Sequence, residues 1–157
     1  MKQLDSTDHR ILHLLQENAK YTIKEIAAEM GMTTTPVYER IKRMEEDGYI
    51  QRYVALLDQH KIGFSLTAFC HISIKEHARD YLQNFEKAIA SFPEIVECYH
   101  LSGVQDYMLK IIVSDMQAYQ SFLVDKLAAL DHIGSVQSTF VLTKVKHSTA
   151  IQLNGLL

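Results

Sequence analysis

Cysteine is nearly missing from this chain: Cys70 and Cys98 are the only two in 157 residues, too few for a disulfide framework. Both fall in apolar, strand-like stretches, which points to buried thiols in a reducing compartment. Long apolar runs are missing as well, none approaching the roughly 20 residues that a membrane helix needs. The N-terminus carries no signal-peptide pattern, so the expected setting is the cytoplasm, without a membrane partner. An excess of positive charge is also lacking. Sixteen Lys and Arg face 19 Asp and Glu, a net charge of -3, so any attraction for a polyanion must be local. His is plentiful at eight, and Cys98 and His100 alternate onto one strand face, but no second pair stands at zinc spacing and no metal is expected. No nucleophile and base pair, carboxylate dyad or phosphate loop stands out, so the chain is not read as an enzyme and no cofactor is assigned. What is present is an ordinary globular composition, 47% hydrophobic and 22% charged, at a length that suits two small cores.

The first 50 residues carry three helical patterns. Asp5 is a good N-cap with Asp8 three positions on, followed by Ile11, Leu12 and Leu15 at helical spacing and an end near Asn18. Thr22 and Glu25 stand at capping-box spacing ahead of Ile23, Ile26, Ala27 and Met30, and Gly31 stops the run. After Met32, the stretch Thr33, Thr34, Thr35, Pro36 supplies a hydroxyl cap and a proline tolerated in a first turn, and the helix runs to Asp47 and Gly48. Helix, short glycine turn, helix is the geometry of a helix-turn-helix.

In the third helix Val37, Ile41 and Met44 must face inward, which leaves Thr34, Thr35, Tyr38, Glu39 and Lys42 outward. Arg and Lys neutralise phosphate and bond guanine edges, while hydroxyls and helix N-terminal amides bind phosphate oxygens. The candidate DNA-contacting set is Thr33, Thr34, Thr35, Pro36, Tyr38, Glu39, Arg40, Lys42 and Arg43. Glu45, Glu46 and Asp47 at the far end keep the unit from being net basic.

The pattern then changes. Tyr53 to Leu57 reads as a short strand, followed by a polar connection through Lys61. From Phe64, apolar Phe64, Leu66, Ala68, Cys70, Ile72 and Ile74 alternate with mostly polar neighbours, a half-buried strand. Phe69 breaks the rule on the polar face, which favours a partner there. Arg79 to Phe92 has helical spacing and ends at Pro93; Ile95 to Leu101 and Tyr107 to Val113 are strands joined by a glycine loop. Met116 to Leu130 is a second helix, and Val136 to Val145 a last strand. The chain is therefore α+β: a winged-helix-like helix-turn-helix domain over 1–52, a strand-containing linker over 53–63, and a ferredoxin-like βαββαβ domain over 64–157. One face of its sheet is left uncovered, so a homodimer through that face is expected. Two copies of the helix-turn-helix would read half-sites roughly 34 Å apart.

In order and spacing these pieces resemble the Lrp/AsnC (leucine-responsive, feast/famine) regulators over nearly the whole chain. The resemblance is carried by Leu4-Asp5 with Asp8 and Ile11-Leu12; Ile26-Ala27 and Gly31; Thr33 through Val37; Arg40 through Glu45 and Gly48; Tyr53-Val54-Ala55; and Gly103 with Asp106-Tyr107. It implies a regulator binding double-stranded DNA, dimers assembling into octamer-like rings, and a free amino acid held between dimers at the Gly103 loop. Leu101, Ser102, Gly103, Val104 and Asp106, with Gln137, Ser138 and Thr139 of the last strand, are the candidate effector-binding residues. Loop amides would take a carboxylate and Asp106 an ammonium. An architectural DNA-compacting protein is the second reading. A tetrapyrrole enzyme similar to the siroheme decarboxylases, using His71, His100 and His147, is the third.

Overall fold

Helix α1, Ser6–Glu17, starts where the acids place it. Asp5 Oδ1 accepts the Asp8 amide at 2.9 Å and Asp8 Oδ2 accepts the Asp5 amide at 3.1 Å, so two first-turn donors that the helix cannot satisfy are closed reciprocally. Helix α2, Ile23–Met30, repeats the device with Thr22 and Glu25. It stops at Gly31, whose φ of +63° suits a residue without Cβ, and the Met32 amide closes onto the Ala27 carbonyl. Helix α3, Thr34–Glu46, follows at once. Ile11, Leu14, Ile26, Ala27, Val37, Ile41 and Met44 form one core between the three helices. Burying side chains of this size is worth about 1.5–3 kcal/mol each for the larger ones.

The computed structural model describes residues 3–153, and these divide into two compact units, one of residues 3–56 with 146–153 and one of residues 57–145. In the second, strand β1 is Leu66–Ile74, helix α4 Arg79–Ser91, strand β2 Ile95–His100, strand β3 Tyr107–Val113, helix α5 Met116–Ser121 and strand β4 Ile133–Phe140. The antiparallel sheet has the order β2-β3-β1-β4, the βαββαβ arrangement expected. Ala68, Cys70, Ile72 and Ile74 of β1, with Tyr107, Leu109, Ile111 and Val113 of β3, pack on Phe85, Ile89, Tyr119, Phe122 and Leu127. Thr67, Phe69, His71 and Ser73 occupy the opposite, open face, because successive strand residues alternate.

Four expectations change. Tyr53–Leu57 is not a strand: among the described residues no segment pairs with it, and its backbone runs irregularly past Tyr53, whose hydroxyl donates to Glu45 at 2.8 Å. The last strand lies three to five residues earlier than its apolar pattern indicates, ending at Phe140. Helix α5 widens into a π-helical turn, Phe122–Leu127, which swings Phe122 and Leu127 into the core together. Residues 146–153 pack with the first unit, where the Gln16 side chain bonds both the N–H and the C=O of Ile151.

Candidate nucleic-acid interface and ligand loop

Helix α3 turns Val37, Ile41 and Met44 into the core and presents Thr34, Thr35, Tyr38, Glu39 and Lys42 to solvent, as its periodicity requires. Tyr38 is 53% exposed, and Lys42 reaches Glu46 at 3.7 Å. Thr33 stands at the N-cap but its hydroxyl makes no capping bond. Unlike α1 and α2, α3 therefore offers its first-turn amides outward, the arrangement that accepts phosphate oxygens. Pro36 sits within that first turn and is half-buried.

Arg40 and Arg43, both in the candidate DNA-contacting set, have partners within the chain. Both turn toward α1. Arg40 Nη1 reaches Asp5 Oδ2 at 2.6 Å and Asp8 Oδ1 at 2.7 Å, and Arg43 Nη2 reaches Asp8 Oδ2 at 2.6 Å. Asp8 is 1% exposed, and a carboxylate survives such burial only with donors of this kind around it. The Arg40 guanidinium holds the Asp5 carboxyl below its ordinary range, and the two acids hold the Arg40 proton more firmly than usual. Sequence reasoning found Asp8 as a cap and missed it as the arginines' partner. No local signal marked that pairing, because the contact is made across the packing of α1 on α3.

In the second unit the loop from Leu101 to Asp106 joins β2 to β3. Ser102, Gly103 and Val104 are exposed, Val104 at 94%, and a Cβ added at Gly103 would meet nothing. Asp106 is tied into the sheet: Oδ2 accepts the Ile74 amide at 2.7 Å, Oδ1 lies 2.8 Å from His77 Nε2, and its own N–H donates to the Ile72 carbonyl. The Asp106 carboxyl is held below the usual range, first by the Ile74 amide and then by His77. The three polar residues of β4 do not share a face. Gln137 lies opposite His71 and Thr139 opposite Phe69 on the open side, whereas Ser138 lies opposite Cys70 on the helix side and accepts the Tyr119 hydroxyl at 2.6 Å. Ser138 is thus not a wall residue beside Gln137 and Thr139.

Cys98 and His100 do share the helix-side face of β2. His100 stacks on Tyr107, whose hydroxyl donates to Glu86. Among the described residues no three His, Cys, Asp or Glu gather as a metal-ligand set. His71 lies on the open sheet face, His100 beside Glu86, and His147 in the first compact unit.

Two family profiles match the chain: a winged helix-turn-helix DNA-binding profile over residues 4–51 and the Lrp/AsnC ligand binding domain over residues 67–151. The chain belongs to the Lrp/AsnC family. The leucine-responsive regulatory protein of Escherichia coli is 36% identical over 150 residues, 96% of this chain and 92% of that protein. The Bkd operon transcriptional regulator of Pseudomonas aeruginosa is 34% identical over 145 residues, 92% and 95% of the two chains. A transcriptional regulator of Neisseria meningitidis, solved in complex with L-methionine, superposes with a TM-score of 0.95 at 35% identity, covering 99% of this chain and 100% of that one. In this Lrp/AsnC chain no helix among the described residues is long and apolar enough to cross a membrane.

Proposed function

We propose that this chain is a transcriptional regulator that reads duplex DNA through the outward side of α3 and answers to a small amino acid bound at the loop between β2 and β3. The observation that carries the first part is the exposed, uncapped start of α3, with Thr34, Thr35, Tyr38, Glu39 and Lys42 standing clear of the core beneath. Amides and hydroxyls there suit phosphate, and Tyr38 and Lys42 are long enough for base edges or backbone.

The second part rests on the exposed backbone of Ser102, Gly103 and Val104. Loop N–H groups suit a carboxylate, and an incoming ammonium would take the place of His77 at Asp106 Oδ1. Leu101, with Gln137 and Thr139 from the open sheet face, would bound the site, and Ser138, on the helix side, would not. Two copies would join through the open face, where Phe69, Tyr99, Met108 and Ile112 place apolar groups among polar ones. A regulator of this kind needs an amino acid that favours one arrangement of copies over another.

One titration series tests both parts of the proposal. The purified chain is titrated with a duplex selected from a random pool, with and without L-methionine and other free amino acids, at fixed salt. Selection of a recurring sequence, and an affinity that one amino acid moves, are expected. Binding with no sequence preference would favour the architectural reading, and no binding would remove both.

A further inference from the structure

The α1–α3 contact joins two acids to two arginines of the DNA-reading helix, and its charges cancel. Asp8 is buried and contacts both arginines; Asp5, half exposed, takes a second bond from Arg40. The arginines are not sealed in. Their side chains are 26% and 27% exposed, and the Arg43 Nε, itself buried, has no hydrogen-bond partner among the described residues. On the helix Arg43 flanks the outward face, since it and Glu39 are neighbours at i, i+4, and Arg40 stands beside Arg43 at i, i+3.

We propose that Asp8, assisted by Asp5, is a specificity-determining positioning residue. It withholds Arg40 and Arg43 from the phosphate backbone and fixes the rotation of α3, so that the duplex is read by Thr34, Thr35, Tyr38, Glu39 and Lys42. An arginine free to swing onto phosphate adds affinity for every sequence alike. Holding it in a neutral cluster lowers that indiscriminate part and leaves base reading to decide. Each acid lost uncovers positive charge on the reading helix, so the variants should bind unrelated DNA better, and where Asp8 is lost, selected DNA worse. A residue acting only as a strut would weaken both.

The proposal rests on α3 being the DNA-reading helix. The full-length wild type, Asp5→Asn and Asp8→Asn are titrated against two probes, a duplex selected from a random pool by the wild type and a shuffled duplex of the same composition, over a salt series. Asp5→Asn keeps a capping oxygen and the buried Asp8, so it remains folded even where Asp8→Asn, checked by circular dichroism, does not. Asp5→Asn is expected to bind the shuffled duplex a few-fold more tightly, with log K falling more steeply against log salt, by up to about 0.9 for one added phosphate contact. Its preference for the selected duplex falls, and falls further in Asp8→Asn. Unchanged salt slopes and preference in folded variants would overturn the proposal. Equal weakening on both probes at unchanged slope would also overturn it, by making the cluster a strut. A wild type that binds neither probe would overturn the DNA reading beneath it.

Discussion

The Asp106 carboxylate accepts the Ile74 amide at 2.7 Å and so clamps the end of β1 beside a register shift between Ser73 and Ile74. A residue chosen from the sequence as a ligand contact is first of all the closure of an irregular strand end. Asp106→Ala leaves that amide without its acceptor and should cost about 1–2 kcal/mol, read as a lower midpoint in thermal or urea unfolding. Asp106→Asn retains an acceptor oxygen and should cost less. Equal stability of all three proteins would contradict this assignment.

The same carboxylate makes stability depend on acid. Its pKa is lower in the folded chain than the ordinary aspartate value near 3.9, so the unfolded chain binds the proton first. Its contribution is complete above the unfolded value and is lost as pH falls through the folded one. Asp106→Asn should therefore flatten the fall in stability below about pH 4, measured by urea unfolding across an acid series. An unaltered acid slope would count against it.

Lys42 is the cation of α3 least engaged elsewhere. Lys42→Ala should weaken binding to all duplexes and make the salt slope shallower by about 0.9. Tyr38→Ala, which removes no charge, should leave the slope alone and change which sequences are preferred. A gel-shift series over salt separates the two.

Gly31 occupies φ +63° between α2 and α3. Its surroundings leave room for a Cβ, so the cost of Gly31→Ala is conformational, about 1 kcal/mol. Thermal unfolding should register it, and a midpoint at or above wild type would show that the backbone relaxes there without cost.

Local signals were legible in the sequence because they act over three or four residues. Asp5, Thr22 and Gly31 mark their helix ends, and the period of two in β1 and β3 marks the core face. Signals that depend on pairing across the chain were not. Whether Tyr53–Leu57 forms a strand depends on a neighbour, and the described residues supply none. Whether Ser138 or Gln137 faces outward depends on its register against β1. Arg40 and Arg43 carry the same charge wherever they point, and only the position of Asp8 across the α1–α3 packing reveals that they are occupied. The loop at Gly103 was found correctly as a loop, yet nothing local in the sequence indicated that His77 stands at Asp106.

Covalent footprinting of lysines tests the central claim most directly. The full-length chain is treated with an amine-acetylating reagent, alone and saturated with the selected duplex, and each lysine is followed by mass spectrometry. Lys42, whose side chain is 58% exposed in the free chain, should lose its reactivity when DNA is bound, while Lys126, in the second unit and paired with Glu94, should keep its own. A duplex that binds and leaves Lys42 as reactive as before would contradict the assignment of α3 as the reading helix.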